Sequence, residues 1–158
     1  MRIENEELGK ILNSQFSILN SSFFNQVFRH TLTVRFRDMD AFGHVNNAVY
    51  LTYLEEARVA FFQAHNMRSL DVPERGTILA HAEIDYRTPA RLGDVLHIDF
   101  VVSHVGNSSY AFTYKVTQDR DGTLVAEAKS VQVCFNFVLN RVIRVPAEWR
   151  DTLVKFAA

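Results

Sequence analysis

A chain of 158 residues with 47% hydrophobic and 22% charged side chains has the length and balance of one globular domain with its own core. Its formal net charge of −1, from 17 basic and 18 acidic residues, argues against a nucleic-acid partner or a polybasic membrane role. One cysteine, Cys134, excludes an internal disulfide and cysteine-rich zinc sites, and no apolar run reaches the ~20 residues that span a bilayer.

Residues 1–27 read as an extension. Leu8, Ile11, Leu12, Phe16, Leu19 and Phe23 recur at helical spacing, which predicts an arm packed on the body or on a second subunit. Its start is acidic (Glu4, Glu6, Glu7) and lacks the basic-then-apolar order of a secretory signal, so a cytoplasmic protein is expected. A single domain is expected over 28–158. From His30 the period becomes two, with Leu32, Val34 and Phe36 on one face of a strand. After a polar stretch, Tyr50, Leu54, Ala57, Phe61 and Ala64 mark one face of a long helix over 47–65, with Asn46 as its N-cap.

Strand patterns then follow one another. Ile78, Ala80, Ala82, Ile84 and Tyr86 alternate, as do Leu96, Ile98, Phe100 and Val102, and then Tyr110, Phe112, Tyr114 and Val116. Asp121-Gly122 signals a hairpin into a strand marked by Val125, Val131, Val133, Phe135 and Phe137. Cys134 lies in that run and reads as buried packing. A short strand at 142–145 precedes a terminal helix that starts at Pro146 and contains Trp149 and Leu153. One long helix with five or six antiparallel strands makes an α+β domain. One helix cannot cover both faces of such a sheet, so the arm or another subunit is expected on the second face.

The chemistry concentrates between residues 38 and 47, where two carboxylates, a histidine and two carboxamides sit at a strand-to-helix junction. The first turn of a helix offers unpaired N–H groups to a polarised oxygen. A carboxylate such as Asp40 beside those donors has two of the parts of acyl-transfer chemistry. Asp38 and Asp40 could equally satisfy loop N–H groups. Gly43 serves either a positive φ or a close backbone approach. His44 could hydrogen-bond a substrate or orient a carboxylate, and Asn46 and Asn47 could be caps or substrate contacts. The spacing of His44 and His65 matches no metal pattern, so no metal site is expected.

The run Asp38-x-Asp40-x-x-Gly43-His44-Val45-Asn46-Asn47, followed by Tyr50, Tyr53, Glu55 and Arg58, resembles the hotdog-fold thioesterases of the 4-hydroxybenzoyl-CoA thioesterase type. The likeness continues through Tyr86-Arg87-x-Pro89 and Leu92-Gly93-Asp94 into Ser109-Tyr110 and covers roughly residues 30–145. It implies a long helix wrapped by an antiparallel sheet, a homodimer or homotetramer with sites at subunit interfaces, and hydrolysis of an acyl-CoA thioester without a cofactor. It maps the catalytic carboxylate to Asp40 and the amide that polarises the thioester carbonyl to Asn47. His44 joins them as a catalytic candidate; Gly43, Asn46 and Tyr50 are the substrate-binding candidates.

The His-Val-Asn-Asn portion also resembles plant acyl-carrier-protein thioesterases, which departs at Phe42, where those enzymes carry Asn. Gly106, Asn107 and Ser108 stand where some relatives place basic residues, which leaves Arg87 and Arg91 as candidates for the phosphates of CoA. Glu55 and Arg58, at i and i+3, are expected to pair on the helix. Phe61, Phe62, Tyr50 and Tyr53 are candidates for an acyl pocket. The rivals to hydrolysis are a thioester hydratase or dehydratase on the same fold and a non-catalytic acyl-CoA-binding protein.

Overall fold

The computed structural model describes residues 26–67 and 72–158. Apart from its last two residues, the 1–27 extension lies outside them, and so does the expectation that it is helical. The elements in chain order are β1 (Phe28–Thr33), a 3-10 turn (Phe36–Asp38), α1 (Asn47–Ala64), β2 (Gly76–Tyr86), β3 (Val95–Val105), β4 (Ser109–Gln118), β5 (Leu124–Asn136), β6 (Arg141–Val142) and α2 (Ala147–Lys155). The strands form one antiparallel sheet in the order β1-β3-β4-β5-β2, with β6 on the end of β5. This is the α+β hotdog arrangement, with the long helix α1 laid on one face of the sheet.

The register explains which side chains meet α1. Leu32 stands opposite Leu96, Phe28 opposite Phe100, Ile98 opposite Val116, and Phe100 opposite Tyr114. Side chains alternate across a strand, so the whole set points to one face. There it meets Tyr53, Leu54, Ala57 and Phe61, all fully buried or nearly so. Phe61 is the hub, its ring 5.3 Å from that of Phe28, 5.5 Å from Phe100 and 5.7 Å from Phe112. Offset and edge-on rings of this kind add about 0.5–1.5 kcal/mol per pair to their burial. Helix α2 adds Trp149 and Leu153, and the Ala157 bridge to Val102 prolongs the sheet edge beside β1.

Several expected positions shift. Phe36 does not continue the face of Leu32 and Val34: it is 82% exposed, because the strand ends at Thr33 and the chain turns through the 3-10 segment. Ala64, in the last helical position, is exposed. Phe137 lies past the end of β5 and is 51% exposed. On β5 the residues facing α1 are Ala126, Ala128, Ser130 and Gln132, opposite Val116, Tyr114, Phe112 and Tyr110. Val131 and Val133 are buried on the other face. The short strand is two residues long, not the four of 142–145. Cys134 is buried, which pushes its thiol pKa up to about 12 and leaves it an inert packing group. Among the described residues no helix is long and apolar enough to cross a membrane, and no cluster of His, Cys, Asp or Glu could hold a metal.

Candidate active site

The polar stretch between β1 and α1 folds on itself. Met39 bridges Val45, the Asp40 N–H donates to the His44 carbonyl at 2.8 Å, and the Asn46 N–H donates to the Asp38 carbonyl at 2.9 Å. Gly43 sits at φ +76°, a left-handed conformation that favours glycine. A Cβ built there meets no atom within 4 Å, so the turn itself, not a tight contact within the chain, requires the glycine.

The two aspartates have different employment. Asp38 is 4% exposed. Its Oδ2 accepts from the Arg35 N–H at 2.9 Å, the Arg35 Nε at 3.1 Å and the Tyr53 hydroxyl at 2.9 Å. Burial works to raise its pKa, yet the Arg35 N–H, the Tyr53 hydroxyl and the Arg35 guanidinium together hold it below the usual carboxylate value. Asp38 therefore clamps the end of β1 to α1. Asp40 is half-buried. Its Oδ1 accepts from the Phe42 N–H at 2.8 Å and, at 3.4 Å, from the His44 N–H. No hydrogen bond reaches its Oδ2 among the described residues, so one oxygen is anchored and the other is available.

Asn46 caps α1, its side-chain oxygen accepting from the Ala48 N–H at 2.9 Å. The N–H of Asn47, the first residue of α1, has no acceptor among the described residues, as helix geometry dictates. Asp40, His44, Asn47 and Tyr50 line one cleft of about 290 Å³ together with Val45, Tyr86, Arg87, Thr88 and Pro89. Gly43 and Asn46 do not line it; they shape the turn and the helix start behind it. Tyr50 is buried, which raises its pKa, and its hydroxyl accepts from the Ala90 N–H at 3.3 Å. A second hollow, about 380 Å³, runs along α1 by His30, Glu55, Glu56 and Val59. It has carboxylates but no helix N-terminus.

Three expectations about neighbouring residues change. Glu55 and Arg58 do not pair: Arg58 turns inward, 6% exposed, and donates to the Tyr114 hydroxyl at 3.3 Å, while Glu55 faces the second hollow. Tyr53 and Phe61 belong to the core and, like Phe62, do not line the cleft. Arg87 lines it, but its guanidinium is held by Glu127 at 3.0 Å and lies 3.6 Å from Asp85. Arg91 is exposed, and its N–H donates to Asp94 at 2.9 Å. Reasoning from the motif alone overlooked Tyr86, whose hydroxyl donates to the Asn47 carbonyl at 2.9 Å. The run Tyr86-Arg87-Thr88-Pro89 at the end of an alternating strand was its only signal.

The family model described as the thioesterase-like superfamily matches residues 34–153. The long-chain acyl-CoA thioesterase FadM of Escherichia coli (strain K12) is 29% identical over 131 residues, covering 77% of this chain and 93% of its own. A 1,4-dihydroxy-2-naphthoyl-CoA hydrolase from Nostoc punctiforme is 30% identical, with 79% and 87% covered. The crystal structure of Slr0204, a 1,4-dihydroxy-2-naphthoyl-CoA thioesterase from Synechocystis, superimposes with a TM-score of 0.75 at 22% identity, covering 82% of this chain and 96% of its own, a likeness of fold. With the match running through the Asp40 turn, α1 and strands β2 to β6, the chain belongs to the thioesterase-like superfamily.

Proposed function

We propose that the protein is an acyl-CoA thioester hydrolase that converts an acyl-CoA and water to the free acid and CoA. The observation that carries this reading is a half-buried carboxylate, Asp40, with one oxygen anchored and one unclaimed, in the same cleft as the first residue of α1. The Asp40 oxygen either attacks the thioester carbonyl or takes a proton from an attacking water. The Asn47 N–H donates to the carbonyl oxygen and stabilises the charge that develops there, aided by the positive end of the helix. His44 and Tyr50 wall the cleft, and Gly43 and Asn46 hold the turn and the cap that set its shape. No cofactor and no metal enter this chemistry. The kinship with acyl-CoA hydrolases favours CoA over an acyl-carrier protein as the thiol.

Release of free thiol from a panel of aliphatic, aromatic and hydroxylated acyl-CoAs tests the proposal, because a hydratase or a binding protein leaves the thioester intact. Within that assay His44→Ala should lose roughly tenfold to a hundredfold in rate, as for a residue that orients rather than reacts. A loss as large as that of Asp40→Asn would instead make His44 a partner in the chemistry.

We further propose a homodimer or homotetramer. Among the described residues the edge strands β1 and β2 each pair on one side only, and such edges tend to be covered. Sedimentation at micromolar concentration should show an assembly of two or four chains; a fully active monomer would refute it. The proposed location is the cytoplasm, consistent with a lone, buried cysteine.

A further inference from the structure

We infer that Tyr86 is a positioning residue of this site, its hydroxyl holding the first peptide of α1, and with it the Asn47 N–H, against the wall of the cleft. The inference rests on the hydrolase reading above. Tyr86 ends β2, an edge strand that among the described residues pairs only with β5, where Tyr86 faces Ala126. Its hydroxyl crosses to the helix and donates to the Asn47 carbonyl at 2.9 Å, and its ring meets that of Tyr50 edge-on at 5.2 Å. The same short segment is tied twice more to the motif: the Ala90 N–H donates to the Tyr50 hydroxyl at 3.3 Å, and the Val45 N–H to the Ala90 carbonyl at 2.9 Å. Residues 86–90 thus form a strap across the start of α1.

The Tyr86 hydrogen bond goes to a carbonyl that secondary structure already satisfies. In an α-helix the carbonyl of residue 47 already accepts from the N–H four residues on. Tyr86 therefore satisfies no orphaned group. What its hydroxyl adds is a fixed distance between the strap and the first turn of α1. Asn47 carries both the carbonyl that is held and the N–H assigned to the oxyanion. These two groups are separated only by the Asn47 Cα, so a shift of one moves the other. The Tyr86 hydroxyl is protonated at neutral pH in any case, as an ordinary tyrosine is, and partial burial moves its pKa further up.

Misplacement by about 1 Å can cost up to a hundredfold in rate. Tyr86→Phe keeps the ring against Tyr50 and removes only the hydroxyl. It should lower kcat about tenfold and leave KM within about threefold, the pattern of an interaction that matters in the transition state. The amide nitrogen of Ala48 belongs to the same peptide as the Asn47 carbonyl. Its NMR resonance should move in Tyr86→Phe while the melting temperature stays within about 2 °C, as for a surface change. A kcat equal to wild type, or a raised KM with kcat unchanged, overturns the assignment, and so does an unmoved Ala48 resonance. Wild-type protein that releases no thiol overturns the hydrolase reading and this assignment together; normal wild-type turnover matched by Tyr86→Phe overturns this assignment alone.

Discussion

Asp40→Asn should abolish nearly all thiol release while leaving a folded protein. The anchored oxygen of Asp40 accepts from the Phe42 and His44 N–H groups. An asparagine oxygen can accept the same two bonds, so the turn that shapes the cleft survives. The unclaimed oxygen becomes an amide nitrogen, which neither attacks a carbonyl nor takes a proton from water. Losing a base or nucleophile costs on the order of 10²–10⁴ in rate. A melting curve beside the activity separates the two possible causes of loss. Near wild-type turnover in a folded Asp40→Asn protein would remove Asp40 from the chemistry.

Asp38→Ala should do the opposite, costing stability first. The substitution leaves the buried Tyr53 hydroxyl, the Arg35 N–H and the Arg35 guanidinium without their shared acceptor. Stranding buried polar groups and half of an ion pair costs about 3 kcal/mol, tempered here because Arg35 can turn to water. For a chain of this size that is about 10 °C in Tm. The loss should depend on pH with a definite sign. The folded-state pKa of Asp38 lies below that of an unfolded aspartate. Its contribution is therefore complete above about pH 4 and fades as the pH falls toward the depressed folded value. The stability gap between wild type and Asp38→Ala should be flat from neutral pH down to about pH 5 and narrow below about pH 4. A gap that widens in acid would show that Asp38 is not held ionised by these partners.

The contrast between the two aspartates marks where sequence reasoning stops. They stand two residues apart in one motif. What separates them is Arg35, the Tyr53 hydroxyl fifteen residues away, and the fold of the loop that leaves Asp40 half-exposed. None of this is written in local pattern. Tyr86 was harder still, since its partner Asn47 is 39 residues away. By contrast β3 and β4 were legible. Leu96, Ile98, Phe100 and Val102, then Tyr110, Phe112, Tyr114 and Val116, are all buried as their alternation predicts. The helix start was also legible, because the Asn46 cap is a local interaction.

Strand β5 misled because both of its faces are buried, so hydrophobicity no longer reports direction. Opposite the bulky Tyr110, Phe112 and Tyr114 the face toward α1 takes Gln132, Ser130 and Ala128, while Val131 and Val133 lie behind. The alternation of β2 breaks for another reason, a register shift between Leu79 and His81. Arg58 is a third case. Spacing brought it within reach of Glu55, yet the Tyr114 hydroxyl draws it inside, where Tyr114 also hydrogen-bonds Ser130 at 2.8 Å.

The central claim is that the cleft between the Asp40 turn and the start of α1 cleaves a thioester. It is tested most directly by following free thiol and free acid together in one reaction of wild-type protein with acyl-CoA substrates. Equal amounts of CoA thiol and acid, appearing at a rate that Asp40→Asn reduces at least about a hundredfold, are the expected result. An acyl-CoA that binds, or whose acyl group changes, while its thioester stays whole would contradict it.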